Sequence, residues 1–172
     1  TGVPVGYEAL LRWRHEHHGL MVPGEFLDVG EDSGLIEQID WLMYEKVIND
    51  VARDVLPGYV AINVSPRHFR APDFADRLLA LLDQAGVAPA RIRVEITEVA
   101  LLDDAPRTLE CLALLKRHGV LAQLDDFGTG FSALSYLHRF PIASLKIDRS
   151  FVAGLEGESS TESVAVIRAI VA

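Results

Sequence analysis

From residue 5 to residue 148 the chain repeats one order: a short apolar stretch of strand length, then a longer stretch with helical spacing, then another short stretch. A helix between two strands returns the chain to the end of the sheet where it started, so the strands run parallel. The pattern predicts an α/β protein with a mainly parallel sheet. Five strands are expected, over residues 5–13, 59–65, 92–98, 120–126 and 143–148. Between them, Ile39, Leu42, Met43, Val47, Val51 and Val55 recur at helical spacing until Pro57-Gly58. Phe74, Leu78, Leu81 and Leu82 mark a second helix over 72–85, and a third over about 106–118 is closed by Gly119. A polar turn at 15–19, a short helix start at 23–27, a helical piece at 133–139, a polar loop at 154–160 and a helix from Thr161 complete the reading. No repeat, low-complexity tract or inter-domain linker interrupts it.

The informative residues are the polar exceptions inside the apolar strands. Glu8, Asn63, Glu95, Asp125, Asp126 and Lys146 fall near the middle or carboxyl end of successive strands, where parallel α/β sheets and barrels build their sites. Taken singly, Glu8 reads as an edge charge and Asn63 as a turn cap. Lys146 reads as a structural partner for one of the acids. Glu95, flanked by Val94 and Ile96, is harder to place without function, because a buried ionised carboxylate needs a partner. Asp125-Asp126 is followed by Phe127-Gly128-Thr129-Gly130, a turn suited to close approach. As a set, four carboxylates, an amide and a lysine at strand ends favour a divalent-metal phosphoryl site. Oxygen ligands suit Mg²⁺ or Mn²⁺, and the scarcity of Cys and His at strand ends speaks against zinc. His15, His17 and His18 lie together in the polar turn and read as a solvated loop. No segment has the pattern of a helix-loop-helix calcium cage.

Charge and cysteine content bound the partners and the compartment. With 25 acidic against 16 basic residues and a net charge of −9, the chain is a poor partner for duplex nucleic acid or an anionic membrane. The one cysteine, Cys111, rules out a disulfide within these residues and fits a cytoplasmic setting. No apolar run approaches the roughly 20 residues of a membrane span.

Several motifs in order resemble the EAL domain family of cyclic di-GMP phosphodiesterases. They are Glu8-Ala9-Leu10-Leu11-Arg12-Trp13, Asn63-Val64-Ser65, Glu95-Ile96-Thr97-Glu98, Asp125-Asp126-Phe127-Gly128-Thr129-Gly130 and Leu145-Lys146-Ile147-Asp148. The resemblance implies a modified (β/α)₈ barrel of TIM type and hydrolysis of cyclic di-GMP to linear pGpG with two Mg²⁺ or Mn²⁺ ions. It implies Glu8, Asn63, Glu95, Asp125 and Asp126 as metal ligands, with Asp125 bridging, and Glu8, Asp126 and Lys146 as the catalytic set, Lys146 holding the attacking water. Leu10 and Arg12, on the strand face of Glu8, would contact substrate. Glu98, Phe127, Gly128, Thr129, Gly130 and Ser132 would couple a homodimer interface to the metal site.

An eight-stranded barrel takes about 250 residues, so residues 1–172 are expected to be the central part of an EAL domain. Its first strand and last strands, with a further second-metal glutamate, would lie outside, leaving this fragment alone with weak or no turnover. A sensor or GGDEF domain in the same full-length chain accords with that placement. Two other functions are kept: an inactive EAL domain that senses cyclic di-GMP or binds a protein partner, and a metal-dependent hydrolase of another phosphoester.

Overall fold

The computed structural model describes residues 2–54, 56–127 and 137–153. Strands β1 (Gly6–Ala9), β4 (Tyr59–Asn63), β5 (Ile92–Thr97), β6 (Leu121–Phe127) and β7 (Ile142–Ile147) form one sheet in the order β1-β4-β5-β6-β7. Every neighbouring pair in it is parallel. β2 (Trp13–His15) and β3 (Gly19–Met21) make a separate antiparallel pair. The helices are α1 (Leu27–Asp32), α2 (Ile36–Ala52), α3 (Pro66–Arg70), α4 (Phe74–Gln84), α5 (Glu98–Asp103) and α6 (Ala105–Arg117), with a further short helix at Arg149–Ala153. The five expected strands are therefore the five strands of the sheet. The expected helical piece at 133–139 lies outside the described residues as far as residue 136, as do the loop at 154–160 and the helix from Thr161.

The core follows from strand periodicity. Val60 and Ile62 of β4, Ile92, Val94 and Ile96 of β5, and Ala122 and Leu124 of β6 are all buried. They share one cluster with Tyr44 and Ile48 of α2, Phe74, Leu78 and Leu82 of α4, and Leu112 and Leu115 of α6. These helical residues recur at three- and four-residue spacing, which turns one stripe of each helix onto the sheet. Burying each large apolar side chain contributes about 2 kcal/mol. Local chemistry sets the helix starts: Thr97 Oγ1 accepts from the Ala100 amide at 3.3 Å and Asp104 Oδ1 from the Arg107 amide at 3.4 Å.

Three expectations need correction. The first strand ends at Ala9, not Trp13. Its pairing with β4 ends at Ala9↔Ile62; the next β4 carbonyl, that of Asn63, accepts from the Tyr44 hydroxyl of α2, and Pro66 then turns the chain into α3. Leu10 and Arg12 consequently do not share a strand face with Glu8. The polar turn expected at 15–19 is the tip of the β2–β3 hairpin, and Trp13, expected to end the first strand, begins β2 instead. Glu98 is the first residue of α5 rather than the end of β5, since Thr97 caps the helix in front of it.

Cys111 sits on the partly buried side of α6. Burial, with Asp76 adding repulsion, pushes its thiol up to about 12. At pH 8 the native thiol is expected to react with a disulfide reagent roughly a thousandfold more slowly than after unfolding in urea, since thiolate is the reacting form. Mass spectrometry of the Cys111 peptide, with and without denaturant, measures the ratio.

Candidate metal centre

The sheet register places the polar residues on one face. Asn63 lies opposite Glu95, Glu95 opposite Gln123, and Thr97 opposite Asp125. Glu8 lies opposite Ala61, two residues before Asn63, and Gln123 opposite Ser144, two residues before Lys146. Alternate residues of a strand share a face, so Glu8, Asn63, Glu95, Asp125 and Lys146 leave the sheet on the side away from Ile62, Val94 and Leu124.

Lys146 Nζ is the hub of the cluster. It donates to Glu95 Oε2 at 2.9 Å, to Glu8 Oε2 at 3.1 Å and to Asp125 Oδ2 at 3.1 Å. Asn63 Nδ2 donates to the other Glu8 oxygen at 3.2 Å. The Glu95 side chain is 2% exposed, against 20% for Asp125 and 35% for Glu8, so Glu95 is the acid that water can least replace. Burial raises the Glu95 carboxyl above its ordinary value, with Lys146 opposing and Glu8 and Asp125 adding to the rise. Burial alone would depress the Lys146 ammonium, but its three carboxylate partners outweigh this and hold it well above the usual lysine range. Beneath the cluster, Gln123 Nε2 donates to Ser144 Oγ at 2.6 Å, and the Arg93 guanidinium lies 3.5 Å over the Tyr59 ring.

The adjacent acids separate at an irregularity. The β6–β7 register shifts between Leu124 and Phe127, and Asp126 has a φ of 51°. That left-handed backbone is one aspartate tolerates better than most residues, and a bulge re-aims the side chains it carries. The Asp126 amide donates to Asp125 Oδ1 at 3.0 Å. Asp125 joins the Lys146 cluster, while Asp126 is exposed beside it. Though the residue is exposed, partial loss of hydration beside the cluster, followed by repulsion from Asp125 and Asp148, raises the Asp126 carboxyl.

The donor set fits a hard divalent cation. One oxygen from each of Glu8, Glu95 and Asp125 can be chosen so that all lie within 4.8 Å of one another. Three carboxylates meet a single ammonium, leaving an excess of negative charge that a divalent ion would neutralise. The Asn63 amide contributes a further group of the same hard class.

The remaining candidates occupy distinct places. Leu10 and Arg12 line an apolar groove of about 760 Å³ with Trp13, Phe26, Leu42 and Met43. Glu8 stands at the strand residue just before that groove. Glu98 is buried at the start of α5 and Phe127 in the core at the end of β6. Gly128, Thr129, Gly130 and Ser132 lie outside the described residues. Sequence reasoning assigned nothing to Tyr44, whose hydroxyl donates to the backbone carbonyl of Asn63 at 3.2 Å. The helical stripe expected through Ile39, Leu42, Met43 and Val47 passes it by: the buried face of α2 runs through Trp41, Tyr44, Ile48 and Val51, and Leu42 is exposed.

The profile of the EAL domain family matches residues 1–172. Among curated proteins, the bifunctional diguanylate cyclase/cyclic di-GMP phosphodiesterase MucR of Pseudomonas aeruginosa is 37% identical over 176 residues, covering 100% of this chain. The cyclic di-GMP phosphodiesterase NbdA of the same organism is 36% identical over 169 residues, covering 96%. This chain spans only 25% and 21% of the lengths of those two proteins. A solved structure of the MucR phosphodiesterase in complex with cyclic di-GMP superposes with a TM-score of 0.91 at 36% identity, covering 99% of this chain and 70% of the other. The expected α/β fold of TIM-barrel type is thus borne out, the five described parallel strands and their helices supplying this chain's part of it. With a profile match from the first residue to the last, the chain belongs to the EAL domain family.

Proposed function

We propose that this chain carries the metal-dependent hydrolysis of cyclic di-GMP to linear pGpG in bacterial second-messenger signalling. The observation that carries the proposal is the convergence of Glu8, Asn63, Glu95, Asp125 and Lys146 at one end of a parallel sheet in a member of the EAL family. In this reading Glu8, Asn63, Glu95 and Asp125 hold Mg²⁺ or Mn²⁺, and Asp126, exposed beside Asp125, serves a second ion. When bound, such ions acidify a shared water and neutralise phosphate oxygens.

The chain's own groups do the rest. The Lys146 ammonium, kept charged by its three acids, commits its three N–H groups to Glu8, Glu95 and Asp125; with a cation taking those acids, its donors would turn to the attacking water. Water adds to one phosphorus, one bridging phosphorus–oxygen bond breaks, and the leaving oxygen ends as a hydroxyl of the linear dinucleotide. Leu10 and Arg12, two and four residues past Glu8, would contact the substrate, with the guanidinium suited to phosphate. Without a bound cation the excess negative charge of the site would repel a dianionic ligand.

Regulation in this reading involves a homodimer. Val99 and Leu102 of α5 are exposed apolar residues, at 68% and 38%, and they follow Glu98 directly, so the helix that carries Glu98 offers apolar surface to a second copy. The segment from Asp126 to Ser132 would connect that contact to the metal ligands. Among the described residues no helix is long and apolar enough to cross a membrane, and we place the reaction in the cytoplasm, with a sensor or GGDEF domain in the same natural chain.

The test is product chromatography after incubating the natural full chain with cyclic di-GMP and Mg²⁺ or Mn²⁺. Conversion to pGpG that stops on chelation is expected. Tight binding without conversion would instead make the protein a cyclic di-GMP sensor.

A further inference from the structure

α2 meets the segment after Asn63 through two residues of one face. Asp40 and Tyr44 are one helical turn apart and both are buried, which places them on the same face of the helix. The Tyr44 hydroxyl donates to the Asn63 carbonyl at 3.2 Å. His68 Nε2, five residues further along the chain from Asn63, lies 3.1 Å from Asp40 Oδ2 in a pair whose side chains are 2% and 10% exposed. The short segment that leaves β4 after Asn63 and enters α3 is thus held at its start by Tyr44, while its His68 end packs beside Asp40 without hydrogen-bond geometry.

The surroundings leave little room for either contact to relax. The His68 ring stacks on Phe74 at 5.2 Å between centroids and meets Trp41 edge-on at 5.5 Å and Tyr44 at 5.6 Å. Tyr44 is fully buried, and burial with the nearby Asp40 charge raises its phenol far above the ordinary value, so the hydroxyl keeps the proton it donates. The β1–β4 ladder ends at Ile62. The next carbonyl, that of Asn63, is the one Tyr44 takes. On the other side, the Val64 amide donates to the Glu95 carbonyl at 3.0 Å. The peptide joining Asn63 to Val64 is therefore fixed from the helix and from the neighbouring strand.

We infer that Tyr44 is a positioning residue for the metal centre, acting through the Asn63 carbonyl to aim the Asn63 carboxamide. The inference rests on the reading of Asn63 as a metal ligand. Groups behind a ligand orient it, and removing one typically weakens metal binding ten- to a hundredfold. Tyr44→Phe deletes one hydroxyl and keeps the ring that packs the core, so it separates aim from packing.

The experiment is a Mn²⁺ titration of the natural full chain followed by electron paramagnetic resonance, on the parent, Tyr44→Phe, Asn63→Ala and the packing control Ile48→Val. Thermal unfolding is recorded for each. Tyr44→Phe is expected to weaken Mn²⁺ binding about tenfold, Asn63→Ala by at least as much, and Ile48→Val by less than twofold although it too lowers the melting temperature. Mn²⁺ binding by Tyr44→Phe within twofold of the parent, with Asn63→Ala weakened, would overturn the role of Tyr44 and leave the site assignment standing. Equal weakening by Ile48→Val would overturn it as general softening of the core. Unchanged binding by Asn63→Ala would remove Asn63 from the ligand set, and Tyr44's role with it.

Discussion

Glu95→Gln in the natural full chain is expected to lower cyclic di-GMP turnover about a thousandfold or more while leaving the metal-free fold as stable as the parent, or more stable. The activity loss follows from enclosure. Glu95 is the least exposed acid of the cluster and sits between Asn63 and Gln123 in the register, so no solvent oxygen can take over its position. Removing one group that stabilises charge in a closed site typically costs a hundred- to a thousandfold, and a lost metal ligand adds to that. The stability result follows from the sign of the pKa shift. The Glu95 carboxyl is raised in the folded protein, mainly by burial. The protonated acid is therefore favoured by folding, and this contribution is lost as pH rises above the unfolded value of about 4.3. A glutamine never ionises and escapes that loss at neutral pH. Lys146 keeps Glu8 and Asp125 as partners, so the substitution does not strand a charge. Steady-state assays with urea unfolding of the chelated protein measure both quantities; turnover within threefold of the parent would remove Glu95 from the centre.

The largest stability effect is expected at the opposite end of the same strands. Gly58→Ala should destabilise the protein by about 3 kcal/mol or more. Gly58 has a φ of +79°, and a Cβ there would stand 2.1 Å from the Val5 carbonyl oxygen and 2.7 Å from its carbon. Both atoms belong to the backbone leading into β1 and cannot swing aside as a side-chain tip could. The Gly58 carbonyl also accepts from Arg91 Nε at 2.6 Å, and Arg91 reaches Leu56 O and Asp54 Oδ1 as well. A shift of Gly58 would therefore disturb the entries to β1, β4 and β5 together. Because β1 carries Glu8 two residues beyond Gly6, activity should fall with stability. Gly24→Ala, at a glycine with nothing within 4 Å of the added carbon, is the control expected to change little. Urea midpoints decide the comparison, and equal midpoints for the two variants would contradict it.

The parts of this architecture that rest on local pattern were readable before any coordinates. Apolar alternation identified the five strands of the sheet, and the polar interruptions at Glu8, Asn63, Glu95, Asp125 and Lys146 named the residues that meet on one face. What could not be read depends on neighbours distant in sequence. Leu10-Leu11-Arg12-Trp13 continues the composition of a strand, yet β1 stops at Ala9, where its register with β4 ends opposite Ile62. The hairpin was missed because Glu16-His17-His18 lacks the Asn-Gly or Asp-Gly signature of tight turns. That Lys146 touches three acids at once follows from the stagger of four strands. Tyr44 lies outside the apolar stripe read from the sequence, yet it is fully buried, and its hydroxyl connects it to Asn63.

The ligand set is tested most directly by soaking crystals of the natural full chain with Mn²⁺ and cyclic di-GMP and computing an anomalous difference map. A peak at coordination distance, roughly 2.2 Å, from oxygens of Glu8, Asn63, Glu95 and Asp125 is the expected result. Manganese bound elsewhere, with Lys146 still bridging Glu8, Glu95 and Asp125, would contradict it.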